Sequence, residues 1–237
     1  MFDIDTRLPV PAALRPSEYT AALIQALRLD AGRVRGVGVL EIGCGSGVVL
    51  AALGTMGAAS LCGIDIEHDA VAASTALLDD LGQGAVAELH RGDMWRPVAG
   101  RRFDLIVANL PHFPMEAVEV AGRLPTWSSG GADGRSLLDP FLEGLRDHLA
   151  PGGRAVITHN AFDDLDRSRA LLAKNALSLR IILTTLVYIS PEKLARMTAD
   201  VLRAEEGRTI HRHGPYTFGE LHIVEIAAAK AGAGTSA

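Results

Sequence analysis

Apolar positions along this chain fall into two alternating rhythms. Residues 37–42 form a short, mainly apolar run that stops at glycines and reads as a buried strand; 47–53 continue as a helix. Residues 60–64 give a second strand. Between His68 and Leu81, Val71, Leu78 and Leu81 recur at helical spacing, and Gly82-Gln83-Gly84 stops that helix. Strands follow at 85–90 and 103–108. Leu137, Leu138, Phe141, Leu142, Leu145 and Leu149 make a clear helix stripe, closed by Pro151-Gly152-Gly153. A fifth strand over 154–158, a helix over 163–175 and a long β-rich run over 177–189 come next. A helical stretch over 191–205 and a last strand over 222–227 complete the series. Strands alternating with helices predict an α/β fold with a doubly wound, mostly parallel sheet. Right-handed crossovers then bring the strands' carboxyl ends to one edge, where ligands bind.

Composition narrows the picture. The chain has 237 residues, 48% hydrophobic and 22% charged, with a net charge of −5. That size suits one well-buried core. The acidic balance disfavours a nucleic-acid partner, because a phosphate-binding surface needs clustered cations. Cys44 and Cys62 lack metal-ligand spacing and read as reduced thiols of a cytoplasmic protein, with no metal site. No apolar stretch is long enough for a bilayer, and the first residues lack the pattern of a secretion signal. The alanine- and glycine-rich residues 228–237 are expected to form a flexible tail.

The strongest local signal is Glu41-Ile42-Gly43-Cys44-Gly45-Ser46-Gly47, where a strand, a glycine turn and a helix succeed one another. Such glycines let a backbone approach a bound ligand closely. Asp65 closes the second strand, about where an acid binds a ribose. A dinucleotide site would want glycine at position 48, which is Val48. The G-x-G-x-G spacing after Glu41 instead resembles the first motif of class I S-adenosylmethionine (SAM)-dependent methyltransferases. Asp93 and Met94 after the third strand, the run Phe103-Asp104-Leu105-Ile106-Val107-Ala108-Asn109 and the turn Leu149-Ala150-Pro151-Gly152-Gly153 extend that resemblance over residues 37–160. It implies a Rossmann-like seven-stranded sheet with an antiparallel last strand, and SAM as cofactor. It assigns the cofactor site to Glu41, Gly43, Cys44, Gly45, Gly47, Asp65, Ile66, Asp93, Met94 and Asn109. Among these, Asp93 would face the adenine amino group and Met94 would pack on the ring.

Asn109-Leu110-Pro111-His112-Phe113 resembles the Asn-Pro-Pro-Tyr motif of N-methyltransferases acting on amides and exocyclic amines. The lone pair of such a nitrogen is delocalised, and carbonyl oxygens that accept its N–H bonds turn it toward a methyl donor. Asn109 is therefore the expected catalytic residue. Gly130-Gly131-Ala132-Asp133-Gly134 and Leu14-Arg15-Pro16-Ser17-Glu18-Tyr19-Thr20 are similar to segments of the release-factor glutamine methyltransferase family. The second of these lies across the cofactor in that family; on its own it also reads as a helix start with Pro16 in the first turn. Pro111, His112, Phe113, Tyr19 and Tyr216 are the expected substrate-binding residues. Leu110 and His112 depart from the motif, and the family's N-terminal helical domain has no counterpart in residues 1–36, which favours a small-molecule acceptor over a protein.

The implied organisation is an N-terminal helical segment over the cofactor (1–36), a catalytic domain (37–227) and the tail. Residues 190–220 are a lid-like connector that starts and ends beside the site. His211 and His213 could serve there as a general base, or the stretch could be a solvated loop or a dimer contact. Trp127, in the loop from Leu110 to Gly134, could line the substrate pocket or simply pack. Besides methyl transfer to an amide or amine nitrogen, two readings stay open: intramolecular cyclisation of SAM to a four-membered cyclic amino acid and methylthioadenosine, and SAM binding without catalysis.

Overall fold

The computed structural model describes residues 16–115 and 128–229. Arg15, Trp127 and most of the C-terminal tail lie outside them. Helix α1 (Glu18–Leu29) precedes β1 (Gly38–Ile42), α2 (Val48–Thr55), β2 (Ser60–Asp65), α3 (His68–Asp80), β3 (Ala87–Arg91) and β4 (Phe103–Ala108). Then come α4 (Leu138–His148), β5 (Leu149–Asn160), α5 (Leu165–Ala173) and β6 (Leu177–Ile189). Two short helices, α6 (Pro191–Leu194) and α7 (Ala199–Glu205), lead to β7 (Ile210–His213) and β8 (Tyr216–Ala228).

The sheet order is β3-β2-β1-β4-β5-β8-β6. β1 to β5 are parallel, and β8 runs antiparallel between β5 and β6. The chain winds outward from β1 to β3, then crosses to β4, so the sheet has a switch point between β1 and β4. In register, Ile42 lies opposite both Ile64 and Ala108. Gly43, Asp65 and Asn109, which continue these strands, therefore emerge at one edge.

Strand alternation divides the core. Leu40, Ile42, Ile64 and Ile106 pack with Phe141, Leu142 and Leu145 of α4. Val39, Leu61, Leu105 and Val107 pack with Leu23 and Leu27 of α1 and Leu50 and Leu53 of α2. Each fully buried leucine contributes roughly 1.5–3 kcal/mol. The N-terminal helix is thus bound into the sheet's own core. Pro16 is not in its first turn as the sequence reading had it: Ser17 is the N-cap, and Pro16 precedes the helix.

Two expectations need correction. The sheet has eight strands, not seven. The connector is also less helical than its sequence suggests: the predicted helix over 191–205 is two separate helices, and the stretch after it is a hairpin. Gly214, at φ +61, and Pro215 turn β7 into β8, which begins well before the predicted 222. A glycine at the first central position of a two-residue turn is the hairpin cue in that stretch. β8 keeps β6 beside it throughout, while β5 leaves at Asn160 and β7 pairs the remaining residues. The hairpin therefore extends past the edge where β1, β2 and β4 stop. Phe113, Met115, Phe162, Ile189, Met197 and Ile210 form a small third core beneath it.

At the opposite edge, Glu225 of β8 accepts hydrogen bonds from Arg33 (2.8 Å), Arg154 (2.9 Å) and Arg180 (2.8 Å). This ties the turn after α1 to three strands. The Arg154 side chain is only 5% exposed, and without Glu225 it keeps only the longer, 3.4 Å contact to the more exposed Asp30. Glu225→Ala should cost about 3–5 kcal/mol in urea denaturation. A loss below about 1 kcal/mol would show that water replaces the carboxylate.

Candidate functional site

A cavity of about 370 Å³ opens at the carboxyl edge of the sheet, at the switch point. Residues 43–46 line it after β1, 65–67 after β2, 92–94 after β3 and 109–113 after β4. Asn160, Ser128, Leu137, Lys193 and, from the start of α1, Pro16, Ser17, Tyr19 and Thr20 close it. The structure thus brings together Glu41, Gly43, Cys44, Gly45, Asp65, Ile66, Asp93, Met94, Asn109, Pro111, His112, Phe113 and Tyr19. Gly47 and Tyr216 are not among the lining residues. Gly47 caps α2 at φ +77, and a Cβ there would lie 2.9 Å from Ser74 Cα, so its glycine serves helix packing. Tyr216 stands 57% exposed at the start of β8, because the hairpin carries it beyond the cavity.

On the first side of the cavity, Asp65 organises the glycine turn. Its Oδ2 accepts the Gly45 N–H and its Oδ1 the Glu67 N–H, both at 2.9 Å. Gly45, at φ +52, has open space where a Cβ would stand. Ile66 offers a 56% exposed apolar surface to the lining. Glu41 is buried, and its Oε2 has no hydrogen-bond partner among the described residues. Burial pushes the Glu41 carboxyl well above the usual carboxylate range. The same cause raises the Cys44 thiol, so neither group is an exposed nucleophile. Cys44 and Cys62 are both free.

The second side is a buried polar network. Asn109 Oδ1 accepts from the Thr158 hydroxyl (3.0 Å), and Asn109 Nδ2 donates to Thr20 Oγ1 (3.4 Å). Thr158 Oγ1 also meets His112 Nε2 at 3.3 Å. His112 Nδ1 faces Asp163 Oδ2 at 2.7 Å, Asn160 Nδ2 at 3.1 Å and the Asn160 backbone N–H at 3.4 Å. Tyr19 donates to Asn160 Oδ1 (2.9 Å) and sets its ring edge-on to His112 at 5.8 Å. Burial lowers the His112 imidazole to about 3 and raises the Asp163 carboxyl well above its ordinary value. The imidazole therefore stays neutral near neutral pH, and burial disfavours the charged form of the carboxyl.

The glycine segment before α4 serves this network. A Cβ on Gly130 would lie 2.7 Å from His112 Cα. One on Gly134, at φ +78, would lie 2.5 Å from Asp163 Oδ1. Arg135, next in sequence, is buried and donates to the carbonyls of Asp163 and Asp164 and to Ser168 Oγ. Ser168 in turn meets His159 Nε2 at 2.8 Å. Burial lowers the His159 imidazole to about 3. Sequence reasoning missed Asp163, Asn160, Thr158 and Arg135, since nothing local marks their meeting.

The connector contributes Lys193. Its ammonium lies 5.9 Å from the Tyr19 ring and 5.4 Å from the Phe113 ring, within cation–π range. Its signal was the helix start Ser190-Pro191 directly after a strand ending at the ligand edge. The connector's histidines are not in the lining: His211 pairs with Glu220 at 2.9 Å, and both sit on the hairpin. Away from the cavity, Cys62, Glu88 and His90 place donor atoms within 4.8 Å of one another. Arg101 already holds both Glu88 oxygens there, at 3.1 and 3.0 Å, which repels a metal cation.

Comparison with known proteins agrees with this geometry. A family model described as a methyltransferase domain matches residues 39–124. A Methanocaldococcus jannaschii protein named "Putative protein N5-glutamine methyltransferase" is 32% identical over 154 residues, covering 64% of this chain and 74% of that protein. A release factor glutamine methyltransferase of Prochlorococcus marinus is 30% identical over 177 residues, covering 68% of this chain and 58% of that one. With two further release factor glutamine methyltransferases, the chain spans between 50% and 74% of these relatives' lengths. In fold, the chain is similar to the 16S rRNA N2 G1207 methyltransferase of T. thermophilus, solved with AdoMet and guanosine. The TM-score is 0.55 at 20% identity, over 92% of this chain and 45% of that one.

The close approach at Gly134 yields a direct check. Gly134→Ala places a methyl group against Asp163 and the His112 carbonyl at a positive φ. It should lower stability by about 1–3 kcal/mol, read as a fall in Tm. An unchanged Tm would mean that the segment does not press on the His112–Asp163 pair.

Proposed function

Since the chain belongs to the glutamine N-methyltransferase family of class I SAM-dependent methyltransferases, we propose that it methylates a side-chain amide nitrogen, with a protein glutamine as acceptor. SAM supplies an electrophilic methyl group: the N–CH3 bond forms, the C–S bond breaks with its electrons going to sulfur, and an amide proton passes to water. The residues at the glycine turn fit that cofactor. Glu41 Oε2, buried without a partner, is an acceptor suited to an ammonium group. Asp65 would hold the ribose hydroxyls, Asp93 the adenine amino group, and Ile66 and Met94 the faces of the ring. The start of α1 would cover the cofactor, and residues 190–220 would cap the acceptor side of a catalytic unit spanning 37–227.

Asn109 carries the reading. Among the described residues its carbonyl oxygen has one donor, Thr158, and a second lone pair for an acceptor N–H. An acceptor held there has its nitrogen lone pair turned and its solvent excluded before transfer. The neighbouring imidazole supports an amide over an alkyl amine. An alkyl amine carries a proton near neutral pH and first needs a base, but both nitrogens of His112 are engaged within the wall. An amide needs no such step. The relatives' names favour a protein acceptor over a small molecule.

Three measurements test this. The protein is incubated with SAM, alone and with a peptide bearing an exposed glutamine, and the nucleoside product is identified by mass spectrometry. S-adenosylhomocysteine formed only with the peptide is expected; catalytic conversion of SAM alone into methylthioadenosine would replace methyl transfer by cyclisation. Asn109→Ala should lower kcat about a hundredfold while SAM affinity stays within about threefold. Normal turnover would reduce Asn109 to a turn residue. In calorimetry, Asp65→Ala should weaken SAM binding by roughly 1.5–3 kcal/mol per lost hydrogen bond; unaltered affinity would remove Asp65 from the site.

A further inference from the structure

The polar wall beside Asn109 has a direction, and its hydrogen bonds reveal it. The Asn160 amide is oriented at both ends. Its Oδ1 accepts from Tyr19, and its Nδ2 donates to the His112 carbonyl at 3.3 Å. Asn160 therefore turns two N–H donors, Nδ2 and its backbone amide, toward His112 Nδ1. Those donors also face the Asp163 carboxyl, so the tautomer is decided at the other nitrogen: Thr158 has one proton, its nearer partner is Asn109 Oδ1, and Nε2 must therefore donate to Thr158, which leaves Nδ1 bare. The short contact to Asp163 Oδ2 then requires the proton to sit on the carboxyl, which donates to the imidazole. Burial of both groups acts in the same sense.

With Nδ1 bare and the ring neutral, the imidazole proton is on Nε2, facing Thr158 Oγ1. The Thr158 proton goes outward to its nearer partner, Asn109 Oδ1. Asn109 Nδ2 then faces Thr20. Donation runs one way, from Asp163 through His112, Thr158 and Asn109 to Thr20. Without the His112 donor, the Thr158 hydroxyl could rotate and accept from a flipped Asn109 amide, which would present N–H to the cavity in place of the carbonyl.

We propose that His112 is a positioning residue: by donating from Nε2 to Thr158, it fixes the Asn109 amide with its carbonyl oxygen available to an acceptor N–H. This rests on the reading of Asn109 as the group that receives that N–H. It makes the site selective for acceptors that donate a hydrogen bond. It also gives the histidine of this motif a task in the wall, in place of stacking on the substrate.

The test has a spectroscopic and a kinetic arm. In the 15N-labelled protein at pH 7, with SAM bound, NMR of the His112 ring should show a bare Nδ1 and a protonated Nε2. A proton on Nδ1, or a charged ring, overturns the proposal. Thr158→Val keeps the shape but removes the hydroxyl. It should lower kcat with the glutamine peptide by at least about tenfold, leave SAM affinity within about threefold, and be rescued by Thr158→Ser. His112→Gln, whose amide nitrogen reaches the Nε2 position, should turn over faster than His112→Ala. Wild-type kcat in Thr158→Val, with the fold intact by Tm, overturns the proposal. Normal turnover in Asn109→Ala overturns the role of Asn109 and, with it, the catalytic consequence argued here. A slow Asn109→Ala with the wrong His112 tautomer overturns the positioning chain alone.

Discussion

Strands β4 and β5 end inside the protein, not at its surface. The loop after β4, the segment before α4, the start of α1 and the connector all lie over their carboxyl ends. Polar groups there have little water to bond, and an unmatched one would cost about 1–3 kcal/mol. Hence Asn109, Thr158, His112, Asn160 and Asp163 bond to one another, with Tyr19 and Thr20 closing the network from α1. Asp163 Oδ1 is the exception, buried with no partner among the described residues; the remaining bonds hold the wall's side chains in place.

Charge is handled differently at the two ends of the sheet. Glu225 is surrounded by three arginines, whose hydrogen bonds hold its carboxyl below the usual range despite burial. Asp163 is buried beside an imidazole and amide donors, and burial raises it. The result is an ionic clamp that fastens the turn after α1 to β8 at one edge and a network that disfavours charge at the other. A wall that disfavours charge suits a sulfonium donor, because it does not trap the positive charge that methyl transfer must move.

The connector links the stability of the cap to the shape of the site. Its helices and hairpin share a small apolar core with Phe113 and Met115 of the loop after β4. Thr198 adds bonds to the carbonyls of Pro114 (2.8 Å) and Ala132 (2.6 Å). Folding of a segment late in sequence thus fixes a loop that follows Asn109 directly, and places Lys193 against the rings of Tyr19 and Phe113.

The sequence by itself determined the central architecture. Short apolar runs, helix stripes and glycine stops locate β1 to β4 and β6 to within two residues, and the second half of β5, which starts at Leu149 and not at 154, because local periodicity reports which face is buried. The glycine turn, Asp65, Asp93 and Asn109 were legible for the same reason: each lies at the end of a parallel strand, and topology sends all such ends to one edge. The tertiary structure alone decided the rest. Tyr216 does not line the cavity, because a hairpin with its own register stands where a loop was expected. His112 is held within the wall because Asp163, Asn160 and Thr158, far away in sequence, converge on its ring. Such partnerships depend on the distances between side chains from different elements, and no local pattern records them until the sheet is assembled.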